Sequence, residues 1–120
     1  MKASILFAED DLALQHLVTE QLREDGYAVT PVDNGIEALK RVEHDRFDLA
    51  LLDIRMPGKD GMEVLQGIRV LAPLTRVVML TGVDEFSVAM EAIRLGANDY
   101  ITKPFSLRDL LSCIGRALER

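Results

Sequence analysis

The sequence predicts an α/β domain, a parallel five-stranded sheet with helices on both faces, and three observations carry that reading. Short apolar runs alternate with stripes of helical period five times along the chain. No internal repeat, low-complexity tract or linker interrupts the alternation. One run, Phe47 to Asp53, is almost wholly apolar, ends on a carboxylate and breaks at once into the turn Met56-Pro57-Gly58. Parallel α/β sheets bind their ligands at the carboxyl ends of strands, which is where Asp53 would stand.

The strands read as Ser4 to Ala8, Tyr27 to Val32, Phe47 to Asp53, Arg76 to Thr81 and Asp99 to Thr102. The third and fourth are rich in Leu, Val and Met without alternation, the pattern of strands buried on both faces. The second carries Pro31, which lacks a ladder donor and suits a sheet edge.

Five amphipathic stripes follow the strands. Leu14, Leu17, Val18 and Leu22 form the first, stopped by Gly26; Ile36, Leu39 and Val42 form the second, after Asn34-Gly35. Met62, Leu65, Ile68 and Leu71 form the third, stopped before Pro73. Phe86, Ala89, Met90 and Ile93 form the fourth, stopped at Gly96. Leu107, Leu110, Leu111, Ile114 and Leu118 form the fifth, opened by Ser106 as a cap. All are read as core-facing. Right-handed crossovers with short connections then gather the strand carboxyl ends on one edge.

The composition, with 48% of the chain hydrophobic, fits one domain over residues 1–120 with a real core. Twenty acidic against 14 basic residues give a net charge of -6, which argues against direct nucleic-acid binding and suits cations. The single cysteine, Cys113, falls on a helical stripe and reads as a small buried hydrophobe. No apolar segment approaches the ~20 residues of a membrane span. The N-terminal Ile5-Leu6-Phe7-Ala8 is too short for a signal-peptide core, so a cytoplasmic location is expected.

The residues just after the strands form a specific inventory. Glu9-Asp10-Asp11 follow the first strand, Asp53 ends the third, Thr81-Gly82 the fourth, and Lys103-Pro104 the fifth. Each alone has an ordinary explanation, as a turn residue, a helix cap or a solvated cation. Together they put carboxylates, a hydroxyl and an ammonium on one rim. Clustered carboxylates repel unless a cation joins them, and hard oxygen ligands suit Mg²⁺ or Mn²⁺. His16 and His44 fall in helices away from this rim, which disfavours zinc. Such a carboxylate can accept a phosphoryl group whose charge the metal and ammonium neutralise.

In the phrases Ile5-Leu6-Phe7-Ala8-Glu9-Asp10-Asp11, Leu52-Asp53-Ile54-Arg55-Met56-Pro57-Gly58-Lys59-Asp60-Gly61, Met79-Leu80-Thr81-Gly82 and Asp99-Tyr100-Ile101-Thr102-Lys103-Pro104-Phe105, the chain resembles the receiver domain of two-component response regulators. The resemblance runs along essentially the whole chain. It implies a doubly wound (βα)5 flavodoxin-like sheet of strand order 2-1-3-4-5 in a single receiver domain over residues 1–120. It also implies that Asp53 is the phosphoacceptor and that Glu9, Asp10 and Asp53 hold Mg²⁺, with the backbone carbonyl of Arg55 completing the metal site. Glu9 stands where the family usually has Asp, which leaves its coordination either direct or through water. Thr81 matches the switch hydroxyl, Tyr100 the switch aromatic and Lys103 the phosphate-pairing ammonium. The Lys103–Pro104 bond is expected to be cis, an isomer that proline makes accessible.

The implied partner is a sensor histidine kinase or phosphotransfer protein carrying phosphohistidine. The implied output surface is the fourth helix, fifth strand and fifth helix, with Met90, Ile93, Arg94, Asp99, Arg108 and Arg116 as contacts and a homodimer as one use. Two of the phrases look like nitrogen-regulatory receivers, which precede an ATPase and a DNA-binding module. This chain ends in its fifth helix at Leu118-Glu119-Arg120 and reads as a receiver excised from a longer protein. It is expected to be no enzyme beyond promoting its own phosphotransfer and a slow autodephosphorylation. Arg55 should border the phosphoryl group, and Val83 offers nothing to orient an attacking water.

Two other readings compete. A receiver-like interaction module that binds without phosphorylation is opposed by the intact Asp53, Thr81 and Lys103. A haloacid-type phosphatase needs a second Asp two residues after the first, where this chain has Arg55.

Overall fold

Leu49–Asp53 (β3) is buried at every residue and occupies the middle of the sheet. The computed structural model describes residues 2–119, so Arg120, read as the end of the last helix, lies outside the described residues. The other strands are Ser4–Ala8 (β1), Ala28–Val32 (β2), Arg76–Thr81 (β4) and Asp99–Thr102 (β5). All pair in parallel, in the order β2-β1-β3-β4-β5. Pro31 therefore sits on an edge strand, where its missing N–H costs least.

The helices are Leu12–Glu24 (α1), Gly35–His44 (α2), Gly61–Leu71 (α3), Phe86–Arg94 (α4) and Leu107–Glu119 (α5). Strand residues point alternately to the two faces. Leu6, Ala8, Ala50, Leu52, Val77 and Met79 meet Ala38, Val42, Val64, Leu65, Ile68 and Ala92 of α2, α3 and α4. Ile5, Phe7, Leu49, Leu51, Val78 and Leu80 meet Val18, Leu22, Leu110, Cys113 and Ile114 of α1 and α5. The sheet is thus covered on both sides, which is why its inner strands read as continuous apolar runs.

Side chains fix where the helices begin. Asp11 accepts from the Leu14 N–H at 3.2 Å and Asn34 from the Glu37 N–H at 2.8 Å. Asp60 and Glu63 exchange bonds in a capping box at α3, and Ser106 accepts from the Asp109 N–H at 3.0 Å. The two glycine stops, Gly26 and Gly96, have φ of +97° and +112°. Asp11 is therefore a cap, one of the two roles its position allowed.

The structure differs from the sequence reading in two respects. β2 begins at Ala28, because the Tyr27 N–H is used by the Leu22 carbonyl in closing α1; β3 begins at Leu49. The stripes are also not wholly core-facing. Leu17, Ile36, Leu71 and Phe86 are exposed, and Met90 and Ile93 are more than a third exposed. On α4 only Ala89 and Ala92 are buried. These small side chains let the helix backbone approach the sheet closely and leave its bulky residues on the outer flanks.

Candidate functional site

Register brings the predicted residues together. Asp53 ends β3 opposite Leu80, one residue before Thr81, and Thr81 pairs with Thr102 of β5. Lys103 follows, its N–H donating to the Thr81 carbonyl at 2.7 Å. On the other side Ala8 of β1 lies opposite Leu52, and Glu9 follows with its N–H on the Val32 carbonyl at 3.0 Å. Glu9, Asp53, Thr81 and Lys103 therefore come from four strand ends that the sheet makes neighbours.

The Lys103 ammonium joins two of them, donating to Glu9 Oε1 at 2.8 Å and to Asp53 Oδ2 at 2.9 Å. Glu9, Asp53 and Thr81 are buried, and Asp10 is exposed at the mouth. One carboxylate oxygen from each of Glu9, Asp10 and Asp53 lies within 4.8 Å of the other two. Burial pushes the Glu9 carboxyl up to about 7, and Asp53 adds to the rise. Lys103 and the Asp11 N–H, 3.1 Å from Glu9 Oε2, oppose it. For Lys103, burial acts to lower the ammonium, but Glu9 and Asp53 outweigh it and hold it above its ordinary value. Two buried acids share one cation while a third acid waits at the rim. A hard divalent cation fits that donor set.

Neighbouring groups hold the acids in place. The Gln15 carboxamide donates to the carbonyls of both Glu9 and Val32 at 3.0 Å, fixing the chain as it leaves β1. The Arg55 N–H donates to Asp53 Oδ1 at 3.3 Å, so the turn after β3 folds back onto the acceptor. Gly61 permits that turn: a Cβ there would stand 2.3 Å from the Asp53 carbonyl oxygen. The Lys103–Pro104 peptide is cis, as the resemblance implies. Tyr100 lies lower on β5, in register with Met79, half-buried against the α2–α3–α4 side of the core.

Arg55 is the exception. The sequence reading puts its guanidinium beside the acceptor; in the structure it is paired with Glu85. Glu85 is a residue that sequence reasoning missed. It is buried at the start of α4, accepts from the Gly82 N–H at 2.6 Å and makes no cap bond to its own helix. Burial acts to raise its pKa, but Gly82 and Arg55 together outweigh that and hold it below the ordinary carboxylate value. An acid just before a helical stripe is the only signal in the sequence, and it reads as a cap.

Comparison with known proteins bears on this arrangement. The family model described as the response regulator receiver domain matches residues 5–115. The chain is 32% identical over 118 residues to sporulation initiation phosphotransferase F of Bacillus subtilis, covering 98% of this chain and 95% of that protein. It is 37% identical over 119 residues to the uncharacterized transcriptional regulatory protein YkoG of the same organism, covering 99% of this chain and 52% of that one. The chain thus spans about half the length of several curated relatives it matches. Among solved structures, the receiver domain of sensor histidine kinase PA1611 from Pseudomonas aeruginosa, which has a magnesium ion coordinated in its active site cleft, superposes with a TM-score of 0.89. It is 31% identical and covers all of both chains. The strand order, the acids and lysine at one sheet edge and these matches agree: the chain belongs to the response regulator receiver domain family.

Proposed function

We propose that this chain is a phosphorylation-controlled signalling switch. The observation that carries the reading is the Lys103 ammonium bridging Glu9 and Asp53, with Asp10 completing a three-carboxylate cluster. Asp53 is the phosphoacceptor. Its carboxylate oxygen attacks phosphorus in line, the P–N bond of a partner's phosphohistidine breaks, and the imidazole leaves. Lys103 is already within hydrogen-bond reach of the attacking group and neutralises charge on the phosphoryl oxygens. Glu9, Asp10, Asp53 and the Arg55 carbonyl would hold Mg²⁺, which when bound supplies further charge neutralisation there.

Thr81 and Tyr100 report the new charge. The Thr81 hydroxyl moves toward the phosphoryl oxygens, and Tyr100 fills the vacated space, biasing an equilibrium between two forms of the α4–β5–α5 face. The partner is a sensor histidine kinase or phosphotransfer protein. The α4–β5–α5 face serves a homodimer or an attached transcriptional output module, in the manner of nitrogen-regulatory receivers. No helix among the described residues is long and apolar enough to cross a membrane, in keeping with a cytoplasmic setting.

Beryllofluoride, a phosphoryl mimic, tests the reading. With Mg²⁺ it should bind the wild-type chain and shift signals of Thr81, Tyr100 and α4, and Asp53→Ala should abolish the response. Wild type indistinguishable from Asp53→Ala would leave a phosphorylation-independent interaction module as the better reading.

A further inference from the structure

The pair formed by Arg55 and Glu85 is asymmetric. The Arg55 side chain is 77% exposed, whereas that of Glu85 is 8% exposed. A buried carboxylate is costly to leave unpaired, while an exposed guanidinium exchanges one anion for another at little cost. The two groups also belong to different loops. Arg55 lies two residues past the acceptor, with its own N–H on Asp53 Oδ1. Glu85 accepts at 2.6 Å from the Gly82 N–H, which belongs to the peptide directly following Thr81. A side-chain and backbone chain thus runs from the acceptor turn through Arg55 and Glu85 to the peptide that carries the switch hydroxyl.

The surroundings leave Arg55 free to move. With Ile54, Met56, Met62 and Val88, the pair walls an open cavity of about 390 Å³, so the guanidinium is not packed in place. At α4 the first turn has no side-chain cap, and Glu85 is spent on Gly82 and Arg55 instead. Losing Arg55 therefore leaves a buried acid with only the Gly82 N–H as partner, at the one helix start that lacks a side-chain cap.

From this geometry we infer that Arg55 and Glu85 form a latch that the aspartyl phosphate opens by competing for Arg55. Phosphorylation replaces the single charge of the Asp53 carboxylate by about -1.5 to -2 on the phosphoryl group, a gain of up to about one charge within two residues of Arg55, and offers three strong acceptor oxygens to a guanidinium now held by one carboxylate. Arg55 turns to the phosphoryl oxygens and shields phosphorus from water. Glu85, left unpaired, draws away from Gly82, which frees the Thr81–Gly82 peptide and loosens the first turn of α4. Glu85 is a positioning residue in this scheme, and Arg55 couples the lifetime of the phosphate to the state of α4. The inference rests on Asp53 being the phosphoacceptor.

The test is a double-mutant cycle on the full chain loaded from a small acyl phosphate donor with Mg²⁺. Glu85→Gln keeps the acceptor for Gly82 but weakens the hold on Arg55, so the aspartyl phosphate should live about five times longer, the upper end of what an ion pair with an exposed partner is worth. Arg55→Ala should shorten that lifetime. In the Arg55→Ala background, Glu85→Gln should have no further effect. The same factor in both backgrounds overturns the latch. A structural role alone would not move the second readout, amide exchange at Gly82: it should quicken when the wild type is phosphorylated and should already be fast in unphosphorylated Arg55→Ala. Unchanged Gly82 exchange on phosphorylation also overturns the latch while leaving the acceptor role of Asp53 intact. Failure of the wild type to take up phosphate at all removes both.

Discussion

The two edges of the sheet are built on opposite terms. At the amino edge polar groups meet complementary partners. The Arg69 guanidinium donates to the carbonyls of Gly96, Pro73 and Thr75 and to Asn98 Oδ1. Asp48 accepts from the Ser4 N–H at 2.8 Å, and Thr75 donates to the Phe47 carbonyl at 3.0 Å. At the carboxyl edge Glu9 and Asp53 share one ammonium with Asp10 close by, and Glu85 depends on an exposed arginine. α4 spans both edges. Its C-terminal end is tied to α3 through Arg69 and Gly96, and its N-terminal end only through the Glu85 pair and the Gly82 bond. In the proposed switch a helix fastened at one end and lightly held at the other is built to pivot. The lightly held end of α4 is also the end nearest the acid cluster.

The largest expected effect lies at the tight edge. Arg69→Ala removes donors to four acceptors, three of them backbone carbonyls. It should cost about 3 kcal/mol in urea unfolding, in line with losing a partly buried hydrogen-bonded charge. Amide exchange should quicken from Gly96 to Asn98 and not at Gly82. A loss below about 1 kcal/mol would break the contrast between the edges.

Next in size is a gain of stability at the strained edge. Glu9 has its carboxyl raised from an ordinary value near 4.5 to about 7. The folded state therefore binds more protons than the unfolded state between those values. Stability of the metal-free protein is fullest below about pH 4.5 with respect to this group and falls as pH rises to about 7. The loss should be on the order of 2 kcal/mol. Glu9→Gln should abolish this slope and make the metal-free chain the more stable one at pH 8. Urea midpoints at pH 5 and pH 8 measure it, and an unchanged slope would show that Glu9 is not the frustrated group.

How much of this was legible in the sequence follows from what each signal encodes. Apolar runs and stripes reflect burial averaged over a face, so the element order and all five strands could be read from them, with β2 and β3 each starting a little later than expected. Residues just after strands inherit their place from the topology, so Glu9, Asp10, Asp53, Thr81 and Lys103 could be assembled before any coordinates. Long-range polar pairing leaves no periodic trace. Nothing in the sequence marks how Arg69 or Glu85 is paired, because the contacts that tie elements together, from Arg69 to Gly96 and Asn98 and from Arg55 to Glu85, span 27 to 30 residues. The exposed Phe86 fails for a different reason. Periodicity marks an apolar stripe but not which part of it the sheet can reach, and on α4 the contact is made by Ala89 and Ala92.

A smaller effect returns to the amino edge. Thr75→Val keeps the shape of the side chain but leaves the buried Phe47 carbonyl without its donor at 3.0 Å. About 1 kcal/mol should be lost in urea unfolding, with no change in the lifetime of an aspartyl phosphate at the other edge. A change in that lifetime would show that the two edges communicate through the strands rather than through α4.

The smallest expected stability change separates the edges most sharply. A Cβ at Gly82 would stand 3.0 Å from Glu85 Oε1 and 3.2 Å from Asp84 Oδ1, so Gly82→Ala presses on the tips of two flexible side chains rather than on backbone. The bond from the Gly82 N–H to Glu85 lengthens, which costs a fraction of its ~1 kcal/mol. Replacing Gly by Ala where φ is compatible returns about 0.4–1 kcal/mol by restricting the unfolded chain. The two nearly cancel, and unfolding should shift by less than about 0.5 kcal/mol. Yet the substitution moves Glu85, the group that holds Arg55. A chain with near-native stability but faster exchange at the first turn of α4 is therefore expected, whereas Arg69→Ala should show the reverse, lost stability with that first turn unchanged. Should Gly82→Ala destabilise the chain as much as Arg69→Ala, the start of α4 is as tightly built as its end, and no pivot exists.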